Sequence, residues 1–280
     1  MMPSLSKKTL ALNKHISIIG CGWLGLPLAK QFIENDYAVK GSTTSVEKLA
    51  LLKSVGIEPY LVSIDEEKIE GNITNCLDAS DIVIINIPPS IRKHTNANFV
   101  KRIQNLIPYL ENSTIKKVLF VSSTSVYADE VSIPIITEDS LTHPETESGK
   151  QLIEVEALLQ QNKHFETSIV RFGGLIGDNR HPANSLSGKT QLKNPDAPVN
   201  LIHQRDAISS IIHIIENNAW NEVFNIVTPS HPTRKTYYTE QCKQHQLPLP
   251  EFDESETSKG KIINSEKLQN SLDYKFQIDL

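Results

Sequence analysis

Cysteine is scarce in this chain, with three in 280 residues: Cys21, Cys76 and Cys242. They stand far apart and have no metal-ligand spacing, which excludes both a disulfide framework and a zinc knuckle. Three isolated thiols suit a reducing compartment, so a cytoplasmic location is expected. An excess of basic residues is also missing. Lys and Arg total 28 against 33 Asp and Glu, a net charge of −5, the opposite of a nucleic-acid footprint. No apolar run approaches the roughly 20 residues that span a bilayer, so no membrane partner is expected. Residues 1–13 hold Lys7 and Lys8 but no apolar stretch, which reads as a loosely held arm and not a signal peptide. No G-x-S-x-G elbow and no Walker-type loop is present.

What the chain does have is a glycine pattern in a telling place. Ile16-Ser17-Ile18-Ile19 is a short β-branched run, and Gly20-Cys21-Gly22-Trp23-Leu24-Gly25 follows it directly. Leu28, Ala29, Phe32 and Ile33 then make a helical stripe. Strand, G-x-G-x-x-G and helix in that order form a dinucleotide-binding fingerprint. Gly20 serves the tight turn, Gly22 lets a pyrophosphate approach the backbone, and Gly25 lets helix and strand pack closely. Pro27 falls in the first turn, where its missing N–H breaks no helical bond.

Strand and helix signals alternate beyond this point. Strands are expected at Tyr37–Ser42, Glu58–Ile64, Asp81–Ile87, Lys117–Ser122 and Thr167–Phe172, with helices at Val46–Val55, Ala97–Leu110 and Glu147–Gln161. With the first strand this makes six strands and their crossovers, a doubly wound, Rossmann-type α/β sheet. Further on, Val199–Ile202 and Val223–Val227 read as strands and Asp206–Asn217 as a helix, with Asp206 as its N-cap. A helix ending near Gln244 follows Pro229. The expected organisation is an arm at 1–13, a dinucleotide-binding domain at 14–172, and a remainder at 173–280. In that remainder 199–228 belongs to the core, while 173–198 and 229–280 form a smaller substrate lobe.

Ligands of such sheets bind beyond the carboxyl ends of the strands. The candidate cofactor residues are therefore Gly20, Cys21, Gly22, Trp23, Leu24, Gly25, Ser42, Thr43, Thr44, Ile87, Pro88 and Ser122. An NAD site normally carries an acid about 20 residues past the glycines to hold the ribose 2′-hydroxyl. Here that place is Ser42-Thr43-Thr44-Ser45, with Lys48 one turn on. Hydroxyls tolerate a 2′-phosphate and an acid repels one, so NADP is favoured over NAD. The same residues also read as capping chemistry around Ser45 for the next helix.

Ser122-Ser123-Thr124-Ser125-Val126-Tyr127 at the end of the fifth strand resembles the extended short-chain dehydrogenase/reductase family, which includes nucleotide-sugar epimerases and dehydratases. Thr137-Glu138-Asp139 with Pro144, Ile169–Gly177, and Asn200-Leu201-Ile202-His203-Gln204-Arg205-Asp206-Ala207 are similar to further segments of that family. Gly20–Ala29, Asn179-Arg180-His181-Pro182 and Gly188-Lys189-Thr190 resemble its atypical, YeeZ-like bacterial branch. The resemblance spans about residues 14–275 and implies an NAD(P)-binding oxidoreductase or epimerase-like enzyme. It also implies a small-molecule substrate, anionic or a nucleotide sugar, and a homodimer.

The family's chemistry uses a Ser or Thr, a Tyr, and a Lys four residues after the Tyr. Ser123 matches the first. Ser148 stands where the Tyr belongs and Leu152 where the Lys belongs, and Lys150 is out of register by two. A serine hydroxyl titrates far above a phenol and does not replace it as acid/base near neutral pH. Tyr127 is the other phenol of the region and the second catalytic candidate. Arg171, Arg180 and His181 are candidate substrate residues. Lys259-Gly260-Lys261 forms a small basic turn, read either as an anion contact or as a solvated turn. The missing pair also leaves a catalytically silent NAD(P)-binding sensor or interaction module as the alternative.

Overall fold

A computed structural model describes residues 14–89, 97–178, 180–181 and 183–280. The expected arm at 1–13 lies outside the described residues, as do Asn179 and Pro182. In the first half the chain runs β1 (His15–Ile19), α1 (Gly25–Glu34), β2 (Ala38–Thr43), α2 (Glu47–Ser54), β3 (Glu58–Ile64), β4 (Ile69–Gly71), α3 (Ile73–Leu77), β5 (Ile82–Ile85), α4 (Phe99–Glu111) and β6 (Lys117–Ser123). A 3-10 turn at Thr124–Val126 leads to β7 (Ile135–Ile136), α5 (Glu147–Gln160), β8 (Glu166–Phe172), β9 (Gly174–Ile176), α6 (Ala183–Leu186), β10 (Leu201–His203) and α7 (Gln204–Glu216). The described chain closes with β11 (Val223–Ile226), α8 (Arg234–Gln244), β12 (Ile262–Ile263) and α9 (Glu266–Leu272).

The eight-stranded sheet has the order β11-β8-β6-β5-β1-β2-β3-β4. β1 pairs in parallel with both β2 and β5, and the order turns back on either side of it, as in a doubly wound fold. The strand expected at Val223–Val227 is β11, which extends one side, and β4, which was not expected, closes the other by pairing antiparallel with β3. β9 with β10 and β7 with β12 form separate two-stranded pairs.

Burial explains the central strands. All four residues of β5 are buried, as a strand covered on both faces requires. Ile16, Ile18 and Ile19 of β1 are buried with them, and so is Ser17. The Ser17 hydroxyl donates to the Cys76 carbonyl at 2.5 Å and shares a 2.7 Å hydrogen bond with Ser80, so its burial leaves no polar orphan. Phe99, Ile103, Leu106 and Leu110 form the buried face of α4, capped by the Asn98 side chain, which accepts from the Lys101 amide.

Two capping expectations need correction. The N-cap of α7 is His203, whose Nδ1 accepts from the Arg205 amide at 3.2 Å, and Asp206 lies inside the first turn. The Asp206 carboxylate is fully buried and turns toward the chain end. It accepts from the Gln277 and Ile278 amides, both at 2.9 Å, and from the Tyr274 hydroxyl at 3.2 Å. α2 begins without a side-chain cap, because the Ser45 hydroxyl is directed to the Glu47 carboxylate.

The chain divides into two compact units. The first holds the chain up to Val121, Glu154–Ile169 and Trp220–Glu222, and therefore the glycine turn. The second holds Ser122–Ile153, Val170–Ala219 and Val223–Leu280. Among the described residues no helix is long and apolar enough to cross a membrane.

Candidate functional site

In the first unit the turn after β1 is braced from both neighbouring strands. The Gly20 amide donates to the Ser42 hydroxyl at 3.0 Å, and the Cys21 amide donates to the Ser42 carbonyl at 2.8 Å. From β5's end, Asn86 Nδ2 donates to the Gly20 carbonyl at 3.0 Å. Gly20 has φ +106°, and a Cβ there would lie 2.5 Å from the Asn86 carbonyl oxygen. A Cβ on Gly25 would lie 2.2 Å from the Gly20 oxygen, so α1 can start this close to the turn only with glycine. Gly22 is different: a Cβ there meets nothing within 4 Å. Its backbone faces open space and is exposed.

That arrangement is the cradle a pyrophosphate needs. The N-terminus of α1 offers free amides and a positive dipole end beside an unobstructed glycine. The residues fit a dinucleotide. Trp23 is half-buried and Leu24 buried. Cys21 is buried, and a Cβ on Gly41 of β2 would lie 2.5 Å from its sulfur. Burial pushes the Cys21 thiol up to about 12, so it stays protonated and inert.

At the end of β2, Ser42 and Thr43 are buried and their hydroxyls accept from the Gly20 and Ser45 amides. Thr44 and Lys48 are exposed. No carboxylate stands at 42–46, and the nearest, Glu47, is engaged by Ser45. Ile87 is half-buried and Pro88 exposed at the end of β5. The Pro88 carbonyl lies 3.5 Å from Arg102 Nη1.

The second unit contains a cavity of about 370 Å³. Ser123, Thr124 and Ser125 line one wall; Arg234 and Tyr238 of α8 also line it, as do Asp129 and Lys259-Gly260-Lys261. Three cations thus meet one carboxylate in a chain whose net charge is −5. Ser123 Oγ accepts from the Ser125 amide at 3.2 Å and caps the 3-10 turn, and its own proton remains to donate. Ser122, on the same strand, is buried.

Tyr127 and Arg171 are placed together, and neither is among the residues that line the cavity. Both are buried, and Arg171 Nη1 donates to the Tyr127 hydroxyl at 2.6 Å. The hydroxyl in turn donates to Asn225 Oδ1 at 3.0 Å. Burial raises the Tyr127 phenol above its ordinary range, against the lowering effect of Arg171. Arg180 is exposed and pairs its backbone with Gly177. His181 Nδ1 accepts from the Ala183 amide at 3.1 Å, and its Nε2 lies 2.9 Å from the Tyr237 hydroxyl. Burial, with His245 beside it, lowers the His181 pKa. Leu152 is buried, Ser148 half-buried and Lys150 exposed.

Arg234 and Asp129 were not singled out from sequence, and Asn200 only as the start of a family-like segment, yet they shape the cavity. Nothing local marks them, since their partners lie up to 132 residues away. The basic turn is no free solvent loop, because the Lys261 side chain is only 12% exposed. Among the described residues no group of three or more His, Cys, Asp or Glu has the arrangement of a metal site.

Comparison with known proteins agrees with this architecture. No family model matches the chain. Protein YeeZ of Escherichia coli strain K12 is 31% identical over 268 residues, covering 94% of this chain and 96% of YeeZ, and the O157:H7 protein matches to the same extent. Among solved structures, UDP-glucuronic acid 4-epimerase from Bacillus cereus in complex with NAD superposes with TM-score 0.76 at 17% identity, over 95% of this chain and 92% of the epimerase. MoeE5 in complex with UDP-glucose and NAD gives 0.75 at 15%, over 95% and 94%. A short-chain dehydrogenase/reductase superfamily protein from Agrobacterium tumefaciens with bound NAD gives 0.75 at 16%, over 95% and 93%. The chain belongs to the YeeZ family and has the fold of the extended short-chain dehydrogenases/reductases.

Proposed function

We propose that this protein binds a nicotinamide dinucleotide at the turn after β1 and acts as an oxidoreductase or epimerase-like enzyme on a small anionic substrate. The observation that carries the reading is Gly22, open to approach beside a helix N-terminus in a turn whose Gly20 is held by Ser42 and Asn86. The bound nicotinamide would supply or accept a hydride. The exposed Thr44 and Lys48, with no acid at 42–46 where an NAD site carries one, favour NADP over NAD. The structures of MoeE5, the Bacillus cereus epimerase and the Agrobacterium tumefaciens protein each hold NAD.

Ser123 lies on the cavity wall with a hydroxyl proton to give, and it orients a substrate hydroxyl or carbonyl oxygen there. Arg234 and Lys259 attract the substrate's negative charge. The Tyr127 phenol has a structural occupation, bonded between Arg171 and Asn225, and stays in reserve as an acid/base. A nucleotide sugar is one substrate of suitable charge, and MoeE5 binds UDP-glucose. The protein is read as cytoplasmic and dimeric, with residues 14–172 serving the cofactor and the lobe at 173–198 and 229–280 serving the substrate.

A second reading follows from Leu152. By the resemblance it takes the place of the family's activating Lys, and it is buried, which favours a silent NAD(P)-binding sensor. Fluorescence titration with NADPH and NADH tests the common premise, and binding of neither overturns both readings. Turnover of a bound substrate establishes the enzyme. Tight NADPH binding with no turnover over a panel of aldehydes, hydroxy acids and sugar nucleotides establishes the sensor.

A further inference from the structure

The cavity's charged groups are not equivalent, and the difference lies in what each has already spent. The 259–261 turn is fastened from several sides. Gly260 exchanges backbone hydrogen bonds with Glu130, at 2.9 and 3.0 Å. Asn200 Nδ2 donates to the Lys261 carbonyl at 2.8 Å, while its Oδ1 accepts from the Ile263 amide at 2.8 Å. The Lys261 ammonium donates to the Tyr127 carbonyl at 2.9 Å and to Asp129 Oδ1 at 2.7 Å. Two of its three N–H donors are thus committed to the wall, and Lys261 is a strut.

Lys259 and Arg234 are the free cations of the lining. Lys259 is exposed and forms no ion pair among the described residues. Arg234 spends Nη1 on the Lys193 carbonyl at 2.8 Å and keeps further N–H donors. Asp129 is the lone carboxylate of the lining, and its side chain is 49% exposed. Among the described residues only Oδ1 has a partner, Lys261, so Oδ2 is an acceptor left open there.

We propose that this cavity selects an anion that also carries a hydroxyl group, with the anionic group held by Lys259 and Arg234 and the hydroxyl donating to Asp129 Oδ2. The inference rests on reading this cavity as the substrate site. A hydroxyl is the donor that fits. An ammonium would approach a carboxylate already paired with Lys261 and meet that like charge, whereas a neutral donor does not. The hydroxyls of Ser123, Thr124 and Ser125 extend the same neutral polar wall. An anion without a hydroxyl gains nothing from Asp129 and is repelled by it, so the carboxylate acts by exclusion as well as attraction. The ligand class is a hydroxylated phosphate or carboxylate, such as a polyol phosphate or a sugar acid.

The test compares glycerol 3-phosphate with n-propyl phosphate, which has the same chain length and charge but no carbon-bound hydroxyl. Calorimetry at pH 8 with the full chain is expected to show glycerol 3-phosphate binding about ten-fold more tightly, the range of a hydrogen bond to a charged acceptor. Asp129→Asn keeps an oxygen for Lys261 and removes the charge. It should tighten propyl phosphate several-fold and bring the two affinities close together. Asp129→Ser is the second variant should the first fold poorly. Lys259→Ala with Arg234→Ala should weaken both probes alike. An unchanged ratio in the folded Asp129 variants overturns the proposal, as does failure of both phosphates to bind the wild type. NADPH titration on the same samples separates the cases: retained NADPH binding confines the failure to the cavity, and lost NADPH binding sinks the cofactor reading.

Discussion

The hydroxyl of Ser42 accepts a hydrogen bond from the amide of Gly20, so the end of β2 holds the turn that leaves β1. The glycines of that turn serve two separable ends. Gly25 and Gly20 allow close approach within the protein, and Gly22 leaves room outside it. Gly22→Ala should fold with a melting temperature near wild type, yet bind NADPH at least about ten-fold more weakly through obstruction of the phosphates. Gly25→Ala places a carbon 2.2 Å from a backbone oxygen, so it should lower the melting temperature as well as binding. Thermal melts paired with NADPH fluorescence titrations on both variants check the contrast. Equal effects on stability would sink it.

Cofactor choice is the next measurable consequence. Lys48→Ala should weaken NADPH several-fold and leave NADH unchanged, as loss of one exposed cation opposite a 2′-phosphate predicts. Thr44→Asp should act in the opposite sense on the two cofactors, weakening NADPH and favouring NADH. Dissociation constants for both nucleotides, measured at two salt concentrations, decide the point. Parallel loss of the two would place the ribose elsewhere.

Much of this was legible in the residues, and the exceptions share a cause. Glu58–Ile64 is a strand with the very limits that its β-branched and aromatic pattern suggests. The helix at Glu147 likewise starts where expected. β4 escaped notice because Ile69-Glu70-Gly71 has no apolar alternation, and its pairing comes from the hairpin with β3. β7 and β12 are two residues each and lie more than 120 residues apart, so no window of sequence contains their pairing. Asp206 has the chemistry of a cap, but His203 takes that place while the carboxylate binds amides 71 and 72 residues away. The same long reach hides the hold of Asn200 on Lys261. Local chemistry identifies a group's capacity, and tertiary partners decide how it is spent.

Asp206 anchors the chain's last residues to α7. Asp206→Ala removes a buried acceptor shared by two amides and a phenol, and should cost about 3 kcal/mol. Hydrogen exchange should then rise at 274–280 before it rises in the central sheet. Uniform exchange across the chain would argue against a local anchor.

His181 makes stability depend on pH. Its Nδ1 accepts a hydrogen bond, and its folded pKa lies below the unfolded value of 6.5 through burial and the neighbouring His245. The unfolded chain therefore takes up the proton first as pH falls. The contribution of His181 is complete above about pH 6.5 and is lost progressively below it. His181→Asn retains an oxygen acceptor for the Ala183 amide and does not titrate. Its urea stability should fall less steeply than wild type between pH 7 and 5. Identical slopes would rule out the His181 contribution.

The three-residue strand β4 has a consequence for the company this protein keeps. A long, flat sheet edge is a template on which another chain can add a strand. Here the rim beside β3 is only Ile69–Gly71, it carries the exposed Lys68–Glu70 ion pair, and Gly71 bends it away at φ +91°. Short, charged and bent, it is a poor surface for strand addition. Crowding and partial heating should find this rim among the last places from which aggregation spreads.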